Sequence, residues 1–307
     1  MDKDPTQARN WPSLAHQMAL AEHHFGPSGE AMIACWLQEE VRRCSDPDFS
    51  RLFFDHIALE GIAQADYNHR LMRSRDGTLL GGIRFYRRNI ARPFVEIIAH
   101  SFANLASLRA AVASEWRSFS PTHLRLNAHA HRFPAADAQL DISIHFASYR
   151  ELSKAGLPPI SLTPMSDINA AAAVATGVYD QLALENPELA EAIGPADASD
   201  LGACHESEGL FAVRATPADP LAGLLAVRPA TIDWIEGDEV VEELILPEWR
   251  GKGLAASAQQ TLGRRRQRRA TVLIGTIDRL NTASRRTALR AGRPERLRKV
   301  FLPLERP

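Results

Sequence analysis

The sequence predicts an α/β (α+β) protein made of two mixed-sheet domains in tandem, the first preceded by a helical segment. Three features predict it. An apolar strand over residues 239–246 runs through a glycine-rich turn into an alanine-rich helix. The order hairpin, strand, helix, strand occurs once in each half of the chain. Between the halves, Pro158-Pro159 favours extended backbone and interrupts both helix and ladder. The domains are accordingly residues 1–157 and 158–307.

Residues 12 to about 60 carry helical periodicity; over 28–43, Ala31, Met32, Ala34, Cys35, Leu37 and Val41 form a core-facing side. Asp76-Gly77 between two alternating runs is a hairpin signal. A strand follows at 93–100. A helix then starts near Asn104 with Leu105, Leu108, Ala111 and Trp116 on its apolar side, and a strand occupies 123–128. A last strand and a helix ending at Gly156 fill 141–157. The turn ahead of the Asn104 helix, HSFANLAS, has neither glycine nor a paired cation.

The second half opens with a strand at 160–162. Asp167 is the N-cap of a long helix whose stripe is Ile168, Ala171, Val174, Val178 and Leu182. Asn186 caps a second helix with Pro187 at its first position. Strands at 209–214 and 221–227 form a hairpin. The strand from Glu239 comes next, then the glycine turn, a helix from Leu254, a strand at 271–277, and a helix from Asn281 to Gly292.

Composition narrows the functional classes. The 307 residues are 45% hydrophobic and 24% charged with a formal charge of −1, as in an ordinary soluble protein, and this balance argues against general binding of nucleic acid. Cys35, Cys44 and Cys204 are far apart with no CxxC, which excludes a disulfide framework or zinc site of familiar spacing and suits a reducing cytoplasm. No apolar run approaches ~20 residues, so no membrane span is expected. His129 and His131 alternate on one strand face, but a divalent site needs three or four ligands and no others can be placed, so no metal is expected.

The stretch EVVEELILPEWRGKGLAA concentrates the chemistry. Val240, Val241, Leu244, Ile245 and Leu246 suit a buried strand, and Pro247 ends it. Arg250, Gly251, Lys252 and Gly253 cannot pack a core. Two glycines instead let backbone N–H groups converge, and Leu254 and Ala255 begin a helix whose first-turn amides have no intrahelical partner. Backbone amides, helix dipole and two cations together make an anion site. The loop is neither GxxxxGK[ST] nor GxGxxG. It resembles the pyrophosphate-binding pattern [QR]xxGx[GA] of the GNAT N-acetyltransferase superfamily, met here by Arg250, Gly253 and Ala255. Asn281 and Gly292 resemble that family's second wall, with Arg293 where Phe is usual.

The resemblance implies two GNAT-like domains in tandem, the N-terminal copy degenerate. It implies acetyl-CoA, or another acyl-CoA, as cosubstrate and a small-molecule or protein amine as acceptor. The thioester carbonyl would meet backbone N–H of Ile245 or Leu246, and Asn281, Ser284 and Arg285 would contact pantetheine and adenosine phosphate. A strand period of two puts Glu239, Val241, Glu243 and Ile245 on one face and Glu242 on the other, so Glu243 is the first candidate base and Glu239 the second. The tyrosine that many members carry as general acid is replaced by Ala288. That replacement keeps a non-catalytic acyl-CoA sensor or scaffold open as a second function. A third class, nucleic-acid binding, would use the run from Arg264 to Arg269. Monomer and homodimer both remain open.

Overall fold

The computed structural model describes residues 4–130, 133–154, 156–269 and 271–304. They divide into two units, one running up to Asp141 and resuming at Leu297, the other Ile142–Arg296. No helix among the described residues is long and apolar enough to cross a membrane.

Unit 1 begins with α1 (Ala15–Phe25), α2 (Ser28–Arg42) and α3 (Pro47–Phe54), the helical segment read from the sequence. The hairpin of β1 (Arg70–Arg73) and β2 (Thr78–Phe85) turns at Asp76-Gly77, where Ser74 N–H donates to Gly77 C=O at 2.9 Å. β3 (Pro93–His100) lies antiparallel to β2 and parallel to β4 (His123–His129), with α4 (Leu105–Glu115) as the crossover. Leu108, Val112 and Trp116 pack with Leu79, Ile83, Val95 and Leu124 in one core. The Asn104 side chain accepts from Ser107 N–H at 2.8 Å, so α4 is closed at its N-terminus by its own chain.

Unit 2 contains most of β5 (Gln139–Ser148), then α5 (Tyr149–Ser153), β6 (Ser161–Pro164), α6 (Ile168–Glu185), α7 (Pro187–Ala192), α8 (Ala198–Glu206), β7 (Leu210–Arg214), β8 (Gly223–Ile232), β9 (Ile235–Ile245), α9 (Leu254–Arg266), β10 (Val272–Asp278) and α10 (Thr282–Ala291). Its strands run in the order β5-β10-β9-β8-β7-β6, and β9–β10 is the parallel pair. Tyr149 and Leu152 of α5 and Ala258 and Leu262 of α9 bury one face against Leu225, Val227 and Leu273. Ala171 and Ala175 of α6 and Leu201 and Cys204 of α8 bury the other against Leu224, Ala226 and Leu244. Sequence periodicity does not separate α8 from its surroundings; Asp197, which accepts from Asp200 N–H at 2.8 Å, marks its start.

Two strands explain why the units do not divide at Pro158-Pro159. Residues 142–148 of β5 pair antiparallel with β10, so the strand that the sequence ends the first half on is built into unit 2. The C-terminal strand β11 (Glu295–Pro303), not anticipated from the sequence, pairs through Leu297–Pro303 with β4 of unit 1. A charge ladder ties it there: Glu96 of β3 is ion-paired to Arg125 of β4 and, at 3.3 Å, to Lys299 of β11. Local propensity carries no information on which distant strand a given strand pairs with.

A buried ion pair lies beneath the sheet of unit 2. Arg266 of α9 reaches Asp238 of β9 at 2.7 Å, and Tyr149 O–H donates to the same carboxylate. Asp238 is 5% exposed and Arg266 8%, so removing one partner strands a charge. Asp238→Ala is expected to lower unfolding free energy by roughly 3 kcal/mol, measured by urea denaturation followed by circular dichroism.

Candidate active site

β9 and β10 pair only over Gly237–Glu239 and Val272–Ile274, then part. β10 continues alongside β5 as far as Asp278, and β9 alongside β8 as far as Ile245. The wedge opens into a cavity of about 620 Å³ lined by β9, β10, α6 and the start of α10. Leu246 N–H donates to Ala222 C=O at 2.9 Å. Antiparallel alternation therefore turns the amides of Ile245 and Glu243 away from β8, toward the side β10 has left.

A β-bulge decides which β9 side chains share a face. Ala226 pairs with Glu242 but Val227 with Val240, leaving Val241 as the extra residue. Glu239 consequently stands on the α6–α8 side, opposite Arg228 in register, together with Glu242, which accepts from Ala196 N–H at 3.1 Å. Glu243 stands on the α9 side with Ile245 and receives the Gln259 carboxamide at 2.9 Å. The shared face assigned to Glu239 and Glu243 from a strict period of two is corrected by this bulge.

Beyond β9 the chain makes a short 3-10 turn, Pro247–Trp249, and enters the glycine loop with Gly251 at φ 78° and Gly253 at φ 77°. Both values are left-handed and favour glycine. Arg250 N–H returns to Pro247 C=O at 3.2 Å, and the next amide to find a backbone acceptor is Ser257, on Gly253 C=O at 3.1 Å. Among the described residues the six amides from Gly251 to Ala256 donate to nothing. All of these residues but Lys252 line a hollow of about 360 Å³, together with Arg250, Arg286 and Arg290. A Cβ on Gly253 would lie 3.1 Å from the Arg290 guanidinium, which packs directly over the turn. The hollow and the wedge share Glu243, Ile245, Arg250, Ala283 and Ser284, forming one continuous groove.

Burial pushes the Glu243 carboxyl up to about 7, against the pull of Arg293 and the Gln259 hydrogen bonds. Burial likewise raises Glu239, which Arg228 partly offsets, and Glu242, which backbone donors partly offset. Arg293 is 3% exposed and its guanidinium donates from Nε to Gln259 Oε1 at 3.0 Å. Gln259 thus bridges Glu243 and Arg293.

No protein-family model and no curated protein sequence matches this chain. Solved structures do. A GCN5-related N-acetyltransferase from Sphaerobacter thermophilus matches at TM-score 0.47 and 13% identity over 99% of this chain and 95% of its own. A tandem GNAT protein from the clavulanic acid biosynthesis pathway matches at TM-score 0.38 and 12% identity over 86% and 97%. A GNAT-family acetyltransferase from Colwellia psychrerythraea matches at TM-score 0.50 and 12% identity over 84% of this chain and 95% of its own. The chain has the GNAT fold.

Within the GNAT fold the anticipated residues separate into two groups. Glu243, Ile245, Arg250, Gly251, Gly253, Leu254, Ala255 and Ser284 come together around the hollow. Asn281 lines the wedge while its Oδ1 caps α10 by accepting from Ser284 N–H at 3.0 Å. Leu246 is excluded as a carbonyl donor, since its amide is held by Ala222. The Lys252 side chain stands outside the hollow, its ammonium 4.4 Å from the Trp249 ring centroid. Arg285 points away, to Arg279 C=O at 3.0 Å. The cations that do line the hollow, Arg286 and Arg290, went unnoticed; counting three, four and seven residues on from Ala283 along a helix would have placed Arg286, Thr287 and Arg290 on its face.

Other sequence candidates have structural uses in the GNAT fold. The antiparallel pairing of β9 with β8 holds as far as Ile245, and it is the parallel partner that leaves. Ala288 is fully buried, so a side chain there would not reach the wedge, whereas Tyr179 of α6 lines it with its hydroxyl 3.4 Å from Glu242. The basic run is broken up: Arg266 is in the buried pair with Asp238 and Arg264 donates to Thr261. His129 lies with its ring centroid 3.9 Å from that of His16, and His131 lies outside the described residues.

The raised carboxyl of Glu243 has a thermodynamic consequence. Between its ordinary value of 4.5 and about 7 the folded protein holds a proton that the unfolded chain has lost, so stability falls as pH rises through that window. Glu243→Gln should match wild type below pH 4.5 and exceed it above pH 7. A gain of about 3 kcal/mol is expected, read from denaturation midpoints across pH.

Proposed function

We propose that the protein is an acyl-CoA-dependent N-acyltransferase that moves an acyl group directly to a primary amine of a small molecule or protein. The observation carrying this reading is the row of six undonated amides, Gly251 to Ala256, all but Lys252 of which belong to residues lining a hollow with Arg250, Arg286 and Arg290. Such a hollow suits a diphosphate: charge-assisted bonds from amides and guanidinium groups are about twice as strong as neutral ones. An acyl-CoA supplies an activated thioester carbon when bound. With its diphosphate in the hollow, its acyl end is directed along the shared groove into the wedge.

The chain's own groups then account for the transfer. The Ile245 amide faces the gap and can receive the developing oxyanion. Glu243, poised near neutrality, takes the amine proton as the N–C bond forms and the C–S bond breaks; that proton then neutralises the departing thiolate through water. Acidic side chains of Glu239, Glu242 and Asp278 in the wedge favour an amine that arrives as the ammonium and sheds one proton to water before it attacks. We assign acetyl as the simplest acyl group, a cytoplasmic location and no metal requirement.

Calorimetric titration with CoA tests the diphosphate site. Gly253→Glu should abolish binding, because the side chain is strained at positive φ and its carboxylate repels the ligand. Arg286→Ala and Arg290→Ala should each weaken binding about tenfold, and Lys252→Ala less than about twofold. Wild type that does not bind CoA overturns the reading.

Amine-dependent release of CoA thiol tests catalysis. Its rate should rise with pH through about 7 and then level off, and Glu243→Gln should remove the rise. CoA binding without turnover on any amine would favour the sensor reading, for which the absence of a tyrosine at Ala288 speaks.

A further inference from the structure

Arg293 occupies the floor of the wedge in a way that simple packing does not explain. It follows Gly292, whose left-handed φ of 87° ends α10, and its own amide returns to Ala288 C=O at 2.8 Å. The backbone thus drives the side chain inward. Only Nε is used, on Gln259. Nη1 is buried without an acceptor, and neither terminal nitrogen meets a carboxylate among the described residues. Burial lowers its affinity for a proton and Glu243 partly restores it, yet a guanidinium remains charged at any physiological pH.

The site is shaped around that cation. Gly275 of β10 is the point where the strands have just parted, and a Cβ there would lie 2.5 Å from Arg293 Nη1. Glycine therefore gives the guanidinium its place beside the gap. Arg293 lines the wedge but not the diphosphate hollow, so its unmet donors serve whatever enters the wedge. A planar fork of unused N–H groups matches a carboxylate. Resting on the transferase reading, we propose that Arg293 binds a carboxylate carried by one of the two reactants: the far end of a short dicarboxylic acyl group, or the carboxylate of an amino-acid acceptor. Reach limits the size. The path from Glu243 through Gln259 to Arg293 holds the two groups within about 8 Å, so the carboxylate lies only a few atoms from the reacting centre. It is a spectator: the N–C bond forms and the C–S bond breaks while the Arg293 pair stays intact.

The test separates the two sources. Affinities are measured by calorimetry for succinyl-CoA against acetyl-CoA, and, on CoA-saturated protein, for amino acids against their decarboxylated amines; thiol release is followed for the same pairs. Wild type should favour the carboxylate-bearing member in one comparison by about ten- to a hundredfold. Arg293→Gln should erase that preference in the affinities and leave free-CoA affinity and the affinities of the other comparison unchanged, while thiol release changes for every substrate because Glu243 loses the pull of Arg293. Gly275→Ala, which displaces the guanidinium without deleting it, should reduce the same preference and guards against misfolding of the first variant. Preference in the acyl comparison identifies a dicarboxylic acyl donor, and in the acceptor comparison an amino acid. No preference in either, or a preference that survives both substitutions, overturns the proposal. Absence of free-CoA binding by wild type is a different failure, that of the transferase reading itself.

Discussion

Parallel pairing between β9 and β10 ends at Glu239 and Ile274, and a sheet interior does not tolerate a run of unmet backbone groups unless water or a ligand meets them. Each strand is held firmly on its far side, β9 by β8 and β10 by β5, so the wedge between them cannot close by sliding one strand. The parting places every other functional feature of unit 2. It turns the Ile245 amide toward empty space, exposes carboxylates from β9 and β10 to one cavity, and leaves a floor in which Arg293 fits beside Gly275. Preorganisation of this kind costs folding energy and needs no rearrangement when charge develops.

The second feature depends on what is withheld from one helix of unit 2; α1 and α2 of unit 1 also start without a side-chain cap. Asp or Asn side chains cap α3, α4, α6, α7, α8 and α10. Gly253 starts α9 without any side-chain cap. A missing cap costs about 1 kcal/mol, and crowding Arg250, Arg286 and Arg290 around one hollow adds repulsion. An anion in that hollow offsets both. The corresponding turn of unit 1 is the contrast: Asn104 satisfies the helix start of α4, and Phe102 is packed into the core. The same strand-turn-helix order is thus closed in one unit and open in the other.

Much of this was legible in the chain because its signals are local. Asp76-Gly77, the caps Asn104, Asp167, Asn186 and Asn281, and the glycines at 251 and 253 each act through backbone within a few residues, and the elements begin where they predict. Relations across distance were not legible. The bulge at Val241 reverses the face of every residue behind it, and nothing in EVVEELI announces it. Arg285 and Arg286 are adjacent and chemically identical, yet helix phase alone sends the second into the hollow and the first to Arg279. The exchange of β5 and β11 between units follows from pairing partners more than a hundred residues away in sequence.

Arg293 connects the two halves of the chemistry. An apolar side chain at this position would leave Glu243 with burial and only the Gln259 hydrogen bonds to offset it, and its proton affinity would rise further. A guanidinium in direct contact with Glu243 would do the reverse, holding the carboxylate so firmly that it would not accept a proton at all. Gln259 sets the compromise by standing between them, donating to one and accepting from the other. The carboxyl near 7 and the unmet donors on Arg293 are then consequences of one spacing. Filling those donors with a reactant carboxylate would neutralise Arg293 and raise the proton affinity of Glu243 further, at the moment an amine must give up its proton. Substrate binding and base strength are coupled through a single carboxamide.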